Sequence, residues 1–259
     1  SAASDVYKRQ IQMLVVSAST DKLGSSAKSS AVMVAMFACI AGSNLLQSNV
    51  TGLVTIPSTI VCFLFISFFA TRLGQRKAML IGSVGGLITN GILAALWLFG
   101  DPTTMTSNPE TGALNWGYFL IIYLVFTIVT AGFQGISGNI VIPMTADCAD
   151  YEVYRTGKYV PGLMGTLFSF VDKLVSSLAT TLVALFYSMA GFKDALPDTL
   201  TPYSDGIFWA TIGCFVLLPI VGWLCNVVAM HFYPLTKEKM EEIQDEVAQI
   251  KMKTMAENA

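Results

Sequence analysis

The chain has 259 residues, of which 54% are hydrophobic and only 12% are charged, and its formal net charge is −2. Ordinary soluble domains carry about 25% charged residues, so this composition favours a membrane protein. No basic tract points to nucleic acid. The five cysteines form no CxxC pair, which argues against a disulfide framework or a zinc site.

The first ten residues, SAASDVYKRQ, contain no initiating methionine and no signal-peptide pattern. We expect residues 1–10 to be a truncation edge or a sequence scar, and the chain to be a fragment of a longer protein.

Six stretches are apolar enough to be candidate membrane spans, each of which needs about 20 residues. The first lies within residues 11–46 and is interrupted by a polar segment that contains Lys22 and Lys28. The other five are residues 51–70, 78–100, 116–144, 161–190 and 206–230. We expect Pro219 to kink the sixth span.

The linkers between these spans differ in charge. Those at residues 72–77, at 147–158 and after 236 carry most of the lysines and arginines, whereas the linkers on the other side carry only Lys193. The positive-inside rule places the basic set in the cytoplasm. Residues 11–233 would then form a six-helix bundle in the plasma membrane, with both ends of the chain cytoplasmic.

Residues 234–259 differ in character from the spans and predict an amphipathic cytoplasmic helix. Thr236 is a suitable N-cap. Apolar side chains recur three and four positions apart at Met240, Ile243, Val247 and Ile250. This pattern fits a surface helix docked on the bundle, or a tail that binds a partner.

Two charges, Asp172 and Lys173, lie in the middle of the fifth span. A charged side chain at the bilayer centre costs at least ~2.5–3.5 kcal/mol, so such residues usually face a water-filled pathway or a partner. Their position therefore indicates a transport or ion site.

Residues three and four apart share one face of a helix. The face centred on Lys173 collects small and hydroxyl residues: Gly162, Gly165, Thr166, Ser169, Ser176, Ser177 and Thr180. This stripe either lines a polar cavity that binds a hydrogen-bonding solute, or forms a close helix–helix seam.

Asp172 lies about 100° round the helix from Lys173, so the two charges do not share a face. We expect Asp172 to point at a neighbouring helix, with Lys22 or Lys28 as its partner. Such a pair would either help in coupling or fix the helix register as a buried ion pair.

The fourth span contains glycines at a three-residue spacing, Gly132, Gly135 and Gly138, which predict close helix packing. Gln134 in the same span needs a partner in hydrocarbon, and a solute or a neighbouring helix would each supply one. The basic turn at residues 72–77 is either a topology determinant or part of a cytoplasmic gate.

Catalytic signatures are missing from the sequence. It contains no HExxH, GxSxG or Walker A pattern, and its one histidine, His231, lies at the end of the last span. We therefore expect neither an enzyme nor a bound metal or other cofactor.

The segment MTADCADYEVYRTGK, which joins the fourth span to the fifth, is more specific. It contains Asp147, Asp150, Tyr151, Arg155 and Lys158. Together with the lysine in the following span, it resembles the glycoside–pentoside–hexuronide:cation symporter family of the major facilitator superfamily.

The resemblance implies an all-α membrane fold equivalent to the carboxyl-terminal half of a twelve-helix transporter. It implies transport of a sugar or glycoside, coupled to Na⁺ or H⁺ by alternating access. Lys173 and Ser169 match solute-binding positions of the family, Gln134 lies in a helix that supplies a contact in relatives, and Thr166 is on the same face as Lys173. Asp147, Asp150, Tyr151, Arg155 and Lys158 would form the cytoplasmic gate.

The same resemblance places the main cation-binding carboxylates in an amino-terminal half that this sequence lacks. The expected partners are therefore the solute, the coupling cation, that half and the lipid bilayer. Two other functions are compatible with the sequence. The protein could be a major facilitator transporter of a non-sugar solute, or a membrane scaffold that transports nothing.

Overall fold

The computed structural model describes residues 23–24, 26–28, 30–108, 111, 113–157 and 161–257. These residues are predominantly helical, and among them the β-structure is limited to an isolated bridge between Ser107 and Leu114. The helices are α1 (Ser30–Ile40), α2 (Leu46–Leu73), α3 (Gln75–Phe99), α4 (Tyr118–Thr156), α5 (Pro161–Met189), α6 (Asp205–Phe232) and α7 (Lys237–Glu257). The all-helical fold expected from the sequence is confirmed.

Helices α2 to α6 are each long and apolar enough to cross a membrane. They correspond to the second to sixth predicted spans. The first predicted span is represented by α1, a short apolar helix whose second half, Ala35–Ile40, is a π-helix. Asp21, Lys22, Ser25 and Ser29 of the polar segment that precedes α1 lie outside the described residues.

Helix α4 is much longer than the predicted fourth span. Its 39 residues extend over about 58 Å, whereas the hydrocarbon core of a bilayer is about 30 Å thick. The expectation that residues 147–158 form a linker is therefore wrong up to Thr156. No glycine or proline interrupts the sequence after Pro143 until Gly157, which ends the helix with φ +69° and donates its N–H to the Val153 carbonyl at 2.8 Å.

Glycines allow α4 to approach α2 closely. A Cβ atom on Gly132 would clash with Val61, and one on Gly135 would clash with Cys62. The prediction that the glycines of this span serve packing is confirmed for Gly132 and Gly135.

Helices α3 and α6 form a second close pair. The ring of Trp223 lies against Gly86, where a Cβ atom would come within 2.7 Å of it. One turn away on α3, Ser83 accepts a hydrogen bond from the Asn226 amide. These buried polar groups satisfy each other, as hydrocarbon surroundings require.

Two apolar cores stabilise the ends of the bundle. At one end, the Trp97 ring makes edge-to-face contacts with Phe119 and Tyr123 at centroid distances of 5.7 and 6.0 Å. At the other end, a separate cluster contains Met79 and Met144 and includes side chains of α7.

Helix α7 is docked on the bundle, as one interpretation of its pattern predicted. Thr236 Oγ1 accepts a hydrogen bond from the Lys239 N–H at 3.4 Å, which is the expected N-cap. Met240, Ile243 and Val247 are buried in the cluster that also contains residues of α4. The side chain of Ile250 lies outside the described residues.

The basic linkers meet at one end of the bundle. Arg76, in the first turn of α3, donates from Nε to the Met230 carbonyl at 3.1 Å and from its guanidinium to the His231 carbonyl at 3.2 Å. At the opposite end, the Ser43 and Ser107 hydroxyls are hydrogen-bonded at 2.6 Å. The grouping agrees with the alternation predicted from charge. The end that carries Arg76, which that prediction places in the cytoplasm, is called the inner end below.

Candidate solute-binding face

Helix α5 packs against the bundle along one narrow side. Ala179, Val183 and Tyr187 are buried, and the Tyr187 hydroxyl is hydrogen-bonded to the Thr211 hydroxyl of α6 at 2.9 Å. Only 11% of its most apolar window is buried. Most of the helix surface therefore faces away from the other described helices.

The exposed surface of α5 is divided lengthwise into a polar and an apolar stripe. The polar stripe contains Gly165, Thr166, Ser169, Lys173, Ser177 and Thr180. The apolar stripe contains Phe170, Leu174, Leu178 and Leu185, which are 52–64% exposed. At 100° per residue the two stripes are centred about 100° apart. This division fits both predicted alternatives, a helix between a polar chamber and lipid and a close seam against a further helix.

Lys173 lies in the middle of the polar stripe and is exposed. Thr166 is exposed as well, and its hydroxyl donates to the Gly162 carbonyl at 2.8 Å, which leaves its oxygen able to accept a hydrogen bond from a solute. The structure thus places both residues on the face predicted from their spacing.

Ser169 lines a cleft of about 320 Å³ between the inner halves of α4 and α5. Across the cleft lie Thr145 and Ala149 of α4. Gln134 is half-buried and lies on the same side of α4 as Thr145, because eleven residues correspond to three helical turns. Helical periodicity therefore places Gln134 on the side of α4 that borders this cleft.

Asp172 is half-buried and lies on the packed side of α5, as its angle from Lys173 predicted. Lys22, one of its two candidate partners, lies outside the described residues. The ammonium group of Lys28, the other candidate, lies 5.0 Å from the centroid of the Phe215 ring. The partner of Asp172 stays a prediction.

The predicted gate residues lie on the last turns of α4 and not in a solvated turn. Asp147 is 9% exposed, and Asp150, Tyr151 and Arg155 are half-buried. Lys158 lies outside the described residues. The segment is partly buried because α7 and the residues that precede it pack against it.

Asp147 borders a cavity of about 210 Å³ that α7 covers. Gln75, at the start of α3, hydrogen-bonds the Asp147 side chain, and Tyr233 and Glu241 also line the cavity. Sequence reasoning identified Asp147 but missed Gln75 and Tyr233. The one sequence feature that could have indicated Gln75 was its position within the basic turn at residues 72–77.

Metal ligands do not gather in the described part of the chain, where no group of three or more His, Cys, Asp and Glu side chains could hold an ion. The fold and the exposed stripe together define a multi-spanning helical membrane protein with a polar, lysine-containing face on one helix.

Comparison with known proteins identifies the family. Residues 7–237 match the family of major facilitator superfamily (MFS) proteins described as MFS/sugar transport protein. Because this match covers most of its length, the chain belongs to that family, whose members are transporters and not enzymes.

The chain is also 24% identical over 209 residues to the glucuronide carrier protein homolog of Escherichia coli (strain K12). The alignment covers 77% of this chain and 40% of that protein. The chain therefore spans about two fifths of the length of this relative.

Proposed function

We propose that this chain forms one half of a secondary transporter that moves a sugar or glycoside across the plasma membrane together with Na⁺ or H⁺. The observation that carries the proposal is the exposed Lys173 in the polar stripe of α5. The family supports solute transport, and the name of the relative makes a glucuronide the first solute to test.

The depth of Lys173 supports a functional role. It lies eight residues, or about 12 Å, from the inner end of the apolar span Gly165–Met189. An ammonium group at that depth is tolerated when it borders water, a solute or a counter-charge. The neighbouring hydroxyls of Thr166 and Ser169 offer the donors and acceptors that a sugar needs.

In an alternating-access mechanism, the polar stripe of α5 and the inner end of α4 would have different roles. The stripe on α5, with Gln134 of α4, would contact the solute near mid-membrane. Asp147, Asp150, Tyr151, Arg155 and Lys158 would make inner-end contacts that form and break as the two halves move. The coupling cation would bind mainly in the amino-terminal half, and both ends of this chain would be cytoplasmic.

The test uses the full-length parent protein in proteoliposomes with an imposed Na⁺ or H⁺ gradient. We expect gradient-driven accumulation of a sugar or glycoside, and we expect Lys173→Ala to reduce it at least ~10-fold, because one charge-assisted hydrogen bond is worth that much.

Lys193→Ala is the matched control, since Lys193 lies in the loop after α5. Both variants should remain monodisperse in detergent. Sugar accumulation by Lys173→Ala at the control rate would refute the role of Lys173, and absence of any sugar flux in the parent protein would refute the transport proposal itself.

A further inference from the structure

Asn139 is a polar side chain that is exposed within an apolar span. It lies in α4, inside the stretch Tyr118–Arg155 that is apolar enough to cross a membrane, and both Asn139 and Pro143, one turn further along, are exposed. A side-chain amide in hydrocarbon needs hydrogen-bond partners, because lipid tails supply none. The position of Asn139 therefore indicates polar surroundings.

Asn139 lies on the side of α4 that faces away from α3. Ser137 marks the packed side, since it is fully buried and a Cβ atom on Gly82 of α3 would lie 3.0 Å from its hydroxyl oxygen. Asn139 follows two residues later, which is about 160° round the helix. Its amide nitrogen lies 3.9 Å from the thiol of Cys62 in α2. Asn139 is thus on the open face of α4, beside α2.

The open face of α4 also forms one wall of the cleft that Ser169 lines. Ile142 and Ala146 follow Asn139 at three and seven residues, so they share its face. Both line the cleft together with Ser169 of α5. Asn139 therefore continues this wall of the cleft towards the outer end, as Lys173 continues the opposite wall.

Asn139 and Lys173 lie at nearly the same depth. Thr145 of α4 and Ser169 of α5 line the same cleft, which sets the register of these two antiparallel helices. Towards the outer end, Lys173 is four residues from Ser169 and Asn139 is six residues from Thr145. At 1.5 Å per residue, Asn139 is about 3 Å nearer the outer end than Lys173.

The side chain of Asn139 has an acceptor available. Its amide nitrogen donates to the Gly135 carbonyl at 2.8 Å and approaches the Cys62 thiol, so the contacts it makes with the described part of the chain use the nitrogen. Its side-chain oxygen, with two lone pairs, accepts no hydrogen bond from those residues. The main chain adds a second acceptor, because Pro143 has no N–H to close the α-helical bond to the Asn139 carbonyl.

We propose that Asn139 is a specificity-determining residue whose side-chain oxygen accepts a hydrogen bond from a ring hydroxyl of the solute. This inference rests on the proposed transport function and adds a contact from α4 to it. Lys173 only donates hydrogen bonds, whereas the oxygen of Asn139 only accepts them. A hydroxyl can accept from one and donate to the other, and a solute without that hydroxyl would leave the Asn139 oxygen unpaired.

The test measures uptake of a phenyl glucuronide, and of its three analogues that each lack one ring hydroxyl, by the full-length parent protein in proteoliposomes. The corresponding phenyl glucoside series is measured in parallel. We expect Asn139→Ala to raise the apparent KM for the intact solute by about 3- to 10-fold, which is the worth of one neutral hydrogen bond. For one of the three analogues we expect no further rise, because the hydroxyl that Asn139 would bind is already missing.

Asn44→Ala is the matched control, since Asn44 is exposed in the turn before α2, and it should leave every KM unchanged. An apparent KM does not depend on the amount of folded protein, so partial misfolding does not imitate the expected result. If the alanine variant does not fold, Asn139→Leu, which keeps the approximate shape of the side chain without its oxygen, takes its place in the same comparison.

The inference is overturned if the loss of the Asn139 side chain raises the KM for the intact solute and for all three analogues by the same factor. That result would mean that Asn139 stabilises the helix or pairs with another part of the protein. It is also overturned if no KM changes. In both cases the proposed transport function still stands, whereas a parent protein that moves no sugar overturns both.

Discussion

Lys173 could be identified from the sequence because the physical penalty for charge in hydrocarbon is large and independent of tertiary detail. The spacing of Ser169 and Thr166 then placed them on its face. The burial of Asp147 could not be predicted in the same way. It depends on Tyr233 and on α7, which are about 90 residues away in sequence and reach Asp147 only after the bundle has formed.

Close helix contacts also depend on single residues, and Gly86 provides a test. Any Cβ atom there would meet the Trp223 ring, so we expect Gly86→Ala to destabilise the protein by about 1–3 kcal/mol. Thermal unfolding of the purified protein in detergent measures this change.

Gly91 is the matched control because it lies in the same helix, and a Cβ atom added there would have no neighbour within 4 Å among the described residues. Gly91→Ala should be neutral or stabilising by up to about 1 kcal/mol, owing to the higher helix propensity of alanine. Equal destabilisation by both substitutions would show that the contact of Gly86 with Trp223 is unimportant.

At the scale of elements, the apolar runs predicted α2, α3 and α5 well, since a span needs about 20 apolar residues. They underestimated the length of α4, because hydropathy indicates which residues lie in the hydrocarbon core, whereas the helix continues beyond it. The sequence also did not predict the π-helical segment of α6, Gly213–Leu217. Pro219 indicated a distortion, but its form depends on neighbours such as Asn90.

Helix α7 should be held on the bundle by its apolar seam. Ile243 is 1% exposed, so Ile243→Ala should cost about 2–5 kcal/mol of docking free energy and increase amide hydrogen exchange throughout α7. Glu242→Ala, at the adjacent exposed position, is the control and should leave exchange unchanged.

The N-cap of α7 gives a smaller expected effect. Thr236→Ala removes the hydroxyl that accepts the Lys239 N–H, which typically costs about 1 kcal/mol. Faster exchange confined to the first turn of α7 is the expected result. Unchanged exchange there would indicate that docking alone determines where the helix begins.

At the scale of the whole molecule, the sequence predicted a bundle of membrane spans because composition and span length suffice for that conclusion. It did not predict how exposed individual spans would be. In α2 none of the most apolar window is buried, and in α5 very little is. The exposed sides of these helices would face lipid in part and the other half of the transporter in part. Under the proposed function, the two stripes on α5 predict where that boundary lies.

The most direct test of this account is the water accessibility of α5 in the full-length parent protein in membranes. Single cysteines replace Ser169, Lys173 and Ser177 of the polar stripe, and Phe170, Leu174 and Leu178 of the apolar stripe, in a parent protein from which every native cysteine has been removed. We expect a charged, water-soluble thiol reagent to modify the first three positions and to leave the second three unmodified, with solute slowing modification at Ser169 and Ser177. Modification of the apolar stripe alone, or of neither stripe, would contradict the claim that Lys173 borders an aqueous chamber.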